Sequence, residues 1–181
     1  MTPRAVRAVT LRPVGPDDEP LLYRVYASTR EDEVALTGWD GEQQEAFLRQ
    51  QFGAQQAHYR QHYQDAALQV VLCDGVPAGR LYVARWADEI RIVDIALLPR
   101  WRNAGIGTAL LRGLLEEGAA TGKRVSIHVE RFNPALRLYA RLGFRLVQDK
   151  GVYLLLEWTP EAPGLPGAPE GEPRGESRAD H

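Results

Sequence analysis

The chain has 181 residues, 44% of them hydrophobic and 25% charged, with a formal net charge of −2. That is enough chain for one domain with a substantial core, and the near-neutral balance gives no hint of nucleic-acid binding. A single cysteine excludes a disulfide framework and a cysteine-based metal site.

Cys73 sits in the apolar run VVLC and reads as a buried filler in a reducing compartment. The opening MTPRAVRAVTLR has no apolar h-region, and no membrane span is visible, so a cytoplasmic protein without a membrane partner is expected. Residues 9–14 (VTLRPV) read as a first strand, and Pro16, Asp17 and Asp18 as a helix start. Leu21, Leu22, Val25 and Tyr26 give the following helix an apolar stripe to about Ser28. Residues 29–40 mix charges with Gly38 and Trp39 and read as loop or short helix. Residues 41–63 are Gln-rich and helical, marked by Phe47, Leu48, Phe52, Tyr59 and Tyr63, with Gly53 as a candidate break.

Residues 68–73 read as a strand, Asp74 and Gly75 as a hairpin turn, and residues 77–86 as the partner strand. Residues 90–98 are rich in Ile, Val and Leu up to Pro99, as a buried strand should be. Residues 105–117 then place Ile106, Leu110, Leu111, Leu114 and Leu115 at helical spacing, with Gly122 closing the helix after Thr121. Residues 125–129 (VSIHV) alternate as a strand. Asn133 and Pro134 open a helix to about Arg141, stopped by Gly143. Residues 144–148 and 152–158 complete the set as two more strands. From Pro160 the chain holds five Pro and four Gly with almost no large apolar residue, so residues 1–159 are expected to fold and residues 160–181 to form a disordered acidic tail.

Three successive strands without crossover helices predict an α/β chain of the α+β kind rather than a doubly wound one. The expected sheet is mixed and mostly antiparallel, with six to seven strands and about four flanking helices.

The stretch from Asp88 to Glu117 organises the chain. A strand feeds the loop RWRNAGIG, and a helix follows at once. The first turn of a helix has free N–H donors and a dipole that favours anions, and glycines let a ligand approach the backbone, so this is a phosphate-binding arrangement. An ordinary βα loop with packing glycines is the plainer reading of the same residues.

Within that loop, Arg102-Asn103-Ala104-Gly105-Ile106-Gly107 resembles the Arg/Gln-x-x-Gly-x-Gly/Ala signature of the GCN5-related N-acetyltransferase (GNAT) superfamily. It stands in a similar setting of strand, Pro99, aromatic Trp101 and apolar helix. NPALRLYARLGF, residues 133–144, resembles the second recognisable element of that superfamily, and LRPVGPDDEPLLYRVY its first strand and helix. The resemblance spans about residues 9–158. It departs at Asn103, where many relatives carry glycine; only the backbone is needed there unless the position requires positive φ.

The resemblance implies a GNAT-like acyl-CoA N-acyltransferase fold and acetyl-CoA, or another acyl-CoA, as co-substrate, with no metal. It implies that the amides of Asn103, Ala104, Gly105, Ile106, Gly107 and Thr108, in the loop opened by Arg102, hold the pyrophosphate. The backbone of Ile95, Ala96 and Leu97 would pair with the pantetheine arm, one N–H polarising the thioester carbonyl. Asn133 would touch the arm, although helix capping alone accounts for it. Tyr139 would be the general acid at the CoA sulfur, with a packing role as the plainer reading. The base is open between Asp94, an expensive carboxylate in the apolar run IVDIALL, and His128, on the strand face opposite Val125. Glu31, Glu33 and Trp39 are candidates for the acceptor side, through charge and stacking. His58 and His62 lack a third ligand and read as surface residues.

The expected activity is acetyl transfer to a primary amine by direct attack in a ternary complex, a small-molecule amine being favoured over a peptide amine. The alternative is a non-catalytic acyl-CoA-binding module of the same fold. Dimerisation is common in the superfamily, and nothing in residues 152–158 decides between monomer and homodimer.

Overall fold

The computed structural model describes residues 7–161, so the expected tail lies almost wholly outside the described residues. Seven strands form one sheet: β1 (Val9–Pro13), β2 (Ala67–Cys73), β3 (Val76–Arg85), β4 (Glu89–Leu97), β5 (Arg124–Glu130), β6 (Arg145–Asp149) and β7 (Tyr153–Trp158). Their order is β1-β2-β3-β4-β5-β7-β6, and every neighbouring pair is antiparallel except β4 with β5. The expected mixed, mostly antiparallel sheet is therefore observed, with five helices among the described residues where about four were expected.

The β2–β3 hairpin turns at Asp74 and Gly75, whose φ values of 51° and 79° suit the right-handed twist of its strands. Three helices pack on one face of the sheet: α1 (Glu19–Ser28), α2 (Glu31–Ala35) and α3 (Gly41–His62). Leu22, Tyr23, Tyr26, Val34, Leu48 and Phe52 bury against Tyr82 there. Gly53 does not break α3. An Asp40 cap, which accepts the Gln43 amide at 2.8 Å, and the buried pair Leu48 and Phe52 hold the helix through it.

On the other face lie α4 (Ile106–Thr121) and α5 (Leu136–Arg141). Ile106, Leu110, Leu111 and Leu114 of α4 and Tyr139 of α5 join Ile90, Ile92, Val125, Ile127 and Val129 in the main core. Gly118 lets α4 sit close to the sheet, since a Cβ there would stand 2.9 Å from the Lys123 carbonyl oxygen. α4 runs to Thr121 and ends at Gly122 with φ 69°, as the sequence predicts. α5 begins three residues later than Asn133. The Asn133 carboxamide instead accepts the Ala135 amide at 2.8 Å, which fixes a turn ahead of the helix.

One irregularity sits in β4. Tyr82 of β3 pairs with Asp94 and Val83 with Ile92, so Val93 is an extra residue, a bulge. Before it Ile90 and Ile92 face the α4 side; after it Ile95 and Leu97 do. Without that insertion Asp94 would point into the main core. With it, Asp94 turns to the α1–α3 face.

Candidate active site

The parallel ladder between β4 and β5 stops at the pair Ile92–Ile127, although β4 runs on to Leu97 and β5 to Glu130. Past that rung β4 remains paired with β3, from Tyr82–Asp94 to Gly79–Leu97, and β5 with β7, from His128–Leu155 to Glu130–Tyr153. Two neighbours in the sheet therefore part, and each turns an unpaired backbone edge to the gap. Such an edge accepts an extended chain by strand addition. Gly79 keeps the end of β4 in place, because a Cβ there would stand 2.1 Å from the Ala96 carbonyl oxygen.

The chain leaves β4 through a short 3-10 turn, Pro99–Trp101, with Trp101 buried. The Arg102 guanidinium donates to the Leu97 carbonyl at 3.0 Å and to the Ser28 hydroxyl at 3.1 Å, tying the loop to β4 and to the end of α1. Asn103 and Gly105 both have positive φ, 58° and 83°. Gly105 meets no steric cost there, and Asn is one of the few side chains tolerated.

The first hydrogen bond of α4 runs from the Ala109 amide to the Gly105 carbonyl at 3.0 Å. Among the described residues, no amide of Asn103, Ala104, Gly105, Ile106, Gly107 or Thr108 donates to a backbone acceptor outside the regular elements, and no side chain caps the helix. This stretch of amides thus stands at the positive end of a 16-residue helix. A diphosphate matches that donor set, and the amide-bearing pantetheine chain matches the free edge of β4, so the residues present fit CoA.

Ionisable groups sit on β4 and β5, which flank the gap, and on the elements packed against them. Asp94 accepts from Arg80 at 2.7 Å and from the Tyr59 hydroxyl at 2.7 Å. Arg80 also donates to Gln55 at 2.8 Å and is only 1% exposed, with its Nε and Nη1 unpartnered among the described residues. Burial and the Asp94 charge push the Tyr59 hydroxyl up. Tyr139, 4% exposed, packs edge-on against Phe144 with ring centroids 5.5 Å apart. Burial first, and the Asp94 charge second, push its pKa up to about 12. It therefore keeps its proton at neutral pH.

His128 is the first residue of β5 past the last rung, and it faces away from the main core that holds Val125, Ile127 and Val129. Its Nδ1 lies 3.2 Å from Arg91 Nη1 and its Nε2 lies 3.1 Å from Lys150 Nζ. Burial, then the charges of Arg91 and Lys150, lower its pKa, against the opposing pull of Glu89.

The family model for the acetyltransferase (GNAT) family matches residues 24–144 of this chain. The chain belongs to that family. Among solved structures, the PaiA N-acetyltransferase of Thermoplasma acidophilum in complex with coenzyme A is similar at a TM-score of 0.63 and 17% identity, over 84% of this chain and 99% of that one. An acetyltransferase from Thermus thermophilus gives 0.60 and 22%, over 84% and 97%. A GNAT family acetyltransferase from Elizabethkingia anophelis with acetyl-CoA bound gives 0.54 and 17%, over 83% and 97%. At these identities the likeness is one of fold. The mouse and human cysteine-rich protein 2-binding proteins are 38% and 43% identical over 58 residues, 32% of this chain, but the match spans only 7% of each of them.

Within this GNAT chain the remaining candidates are more scattered. Glu33 pairs with Arg30 at 3.0 Å, and Arg30 also reaches Glu130 at 3.0 Å, so α2 is tied to the end of β5. Glu31 is exposed, and Trp39, in the α2–α3 connection, packs tilted against Phe47 of α3 with ring centroids 5.2 Å apart. His58 and His62 lie exposed with their rings 4.4 Å apart, and no group of three potential metal ligands occurs among the described residues. Nor is any described helix long and apolar enough to cross a membrane.

Arg80 and Lys150 were not singled out from sequence, and Tyr59 was read as an apolar mark of its helix, not as a partner of Asp94. Arg80 carried a signal, a charge inside the apolar strand run AGRLYVA, where burial demands a partner. The Tyr59–Asp94 and Lys150–His128 contacts carried none, because they join residues 35 and 22 positions apart.

Proposed function

We propose that this GNAT family member transfers an acetyl group from acetyl-CoA to a primary amine by direct attack in a ternary complex. Acetyl-CoA supplies an activated acyl carbon and a thiolate leaving group. The single observation that supports the reading is the parting of β4 and β5 beside six unengaged amides at the start of α4. The amides of residues 103–108 bind the diphosphate. The free edge of Ile95, Ala96 and Leu97 aligns the arm, and an N–H on that edge stabilises the oxyanion that develops on the carbonyl.

Tyr139, kept protonated by burial, gives its proton to the departing sulfur. His128, kept neutral by burial and two neighbouring cations, takes the proton of the attacking amine. Asp94 is fixed by Arg80, which balances its charge, and by the Tyr59 hydroxyl. A carboxylate engaged by both groups anchors better than it abstracts, so His128 is the stronger base of the two. The near-neutral surface favours a small amine over a charged protein acceptor.

Screening amines and peptides for CoA release with purified protein tests this. Acetyl-CoA-dependent acetylation of an amine is expected. Tight CoA binding without transfer to any acceptor would instead favour the non-catalytic binding module.

A further inference from the structure

Resting on that reading, we propose that Lys150 is an acetylation site of the protein itself, modified by its own acetyl-transfer site. The chain is poor in lysine, with two, Lys123 and Lys150, against twenty arginines. Their positions differ in the way that matters. Lys123 precedes β5 at the end where the β4–β5 ladder is closed by the rung Glu89–Arg124. Lys150 stands at the other end, in the β6–β7 turn, which lies across β5 from the gap, and its exposed side chain reaches back to His128.

The turn fixes its root. The Lys150 amide donates to the Tyr153 carbonyl at 2.9 Å, and Asp149 accepts the Gly151 amide at 2.9 Å. Its Nζ then lies 3.1 Å from His128 Nε2, and no described carboxylate pairs with it. An amine held against the imidazole that receives the acceptor's proton, on the face of β5 turned from the α4 core, has the placement of an acceptor.

The step balances without a further reagent. The lysine nitrogen bonds to the acetyl carbon and the carbon–sulfur bond breaks. Of the two protons the ammonium gives up, one reaches solvent through His128. The other replaces the proton that Tyr139 gives to the CoA sulfur. Acetylation removes a cation that, with Arg91, holds the His128 pKa down against the pull of Glu89, so the modification feeds back on the base.

The test is mass analysis of the full chain incubated with acetyl-CoA, with peptide mapping, alongside amine turnover. One acetyl group at Lys150 is expected, kept in Lys123→Arg, lost in Lys150→Arg, suppressed by excess CoA, and slowed by about a hundredfold in His128→Asn. Amine turnover with Lys150 unmodified would overturn this proposal while leaving the acetyl-transfer reading intact. Equal labelling of both lysines, or labelling indifferent to excess CoA, would also overturn it, as solution chemistry. Absence of both modification and amine turnover would overturn both readings together.

Discussion

Replacing Gly107 by alanine should stabilise the protein and weaken its hold on CoA, two effects of opposite sign from one methyl group. Gly107 lies in the first turn of α4, outside the set of positive-φ residues, and a Cβ built there meets nothing within 4 Å. The substitution therefore adds no strain and removes glycine's excess freedom in the unfolded chain, a gain of about 0.5–1 kcal/mol. For a chain of this size that raises Tm by about 1–4 °C. The same methyl enters the space in front of the free amides. Displacing one charge-assisted hydrogen bond costs about 1.5–3 kcal/mol, at least about tenfold in Kd. Gly105→Ala is the internal control: its φ of 83° makes any side chain costly by about 1 kcal/mol or more, so Tm falls there. Calorimetric titration with CoA and thermal unfolding of both variants decide the matter. An unchanged CoA affinity in Gly107→Ala would refute the diphosphate cradle, and a lowered Tm would refute the helical geometry assigned to that turn.

Asp94→Asn should cost about 3 kcal/mol or more in urea unfolding, because it leaves the buried Arg80 guanidinium without its counter-charge; a loss under about 1 kcal/mol would contradict the ion pair. Tyr139→Phe should lower kcat by about a hundredfold with CoA affinity unchanged, and normal turnover would remove Tyr139 from the chemistry. The acid limb of kcat/KM should lie below pH 6.5, since a His128 pKa lowered from its ordinary value keeps the base unprotonated down to that point and activity is lost only as pH falls through it. A limb centred above pH 6.5 would argue against His128 as the base.

The elements most legible in the sequence were those whose signal is local. The Asp74-Gly75 turn, the α4 stripe of Ile106, Leu110, Leu111 and Leu114, and the Gly122 stop each follow from a few adjacent residues, and the structure has all three. Gly53 misled because a glycine's cost near 1 kcal/mol in a helix is small beside the burial of Leu48 and Phe52. Asn103 shows the limit of a motif. Its positive φ is a property of the loop, and the sequence posed the condition without answering it. The Val93 bulge was hidden altogether, because in IVDIALL the apolar residues run together and give no alternation to break. What Asp94 faces, and so its pairing with Arg80 and Tyr59, depends on that one inserted residue.

The early end of the β4–β5 ladder has a consequence for cooperativity. Four rungs, Glu89–Arg124 to Ile92–Ile127, join a four-stranded half-sheet to a three-stranded one. The rest of that seam carries no rung between β4 and β5. A ligand laid along it would act as an eighth strand supplied from outside, coupling the two halves across the seam and adding RT ln(1 + [L]/Kd) to the stability of the whole. In such a molecule substrate occupancy would add hydrogen bonds that folding alone leaves unmade, and a cell that depletes the guest would meet a less stable protein.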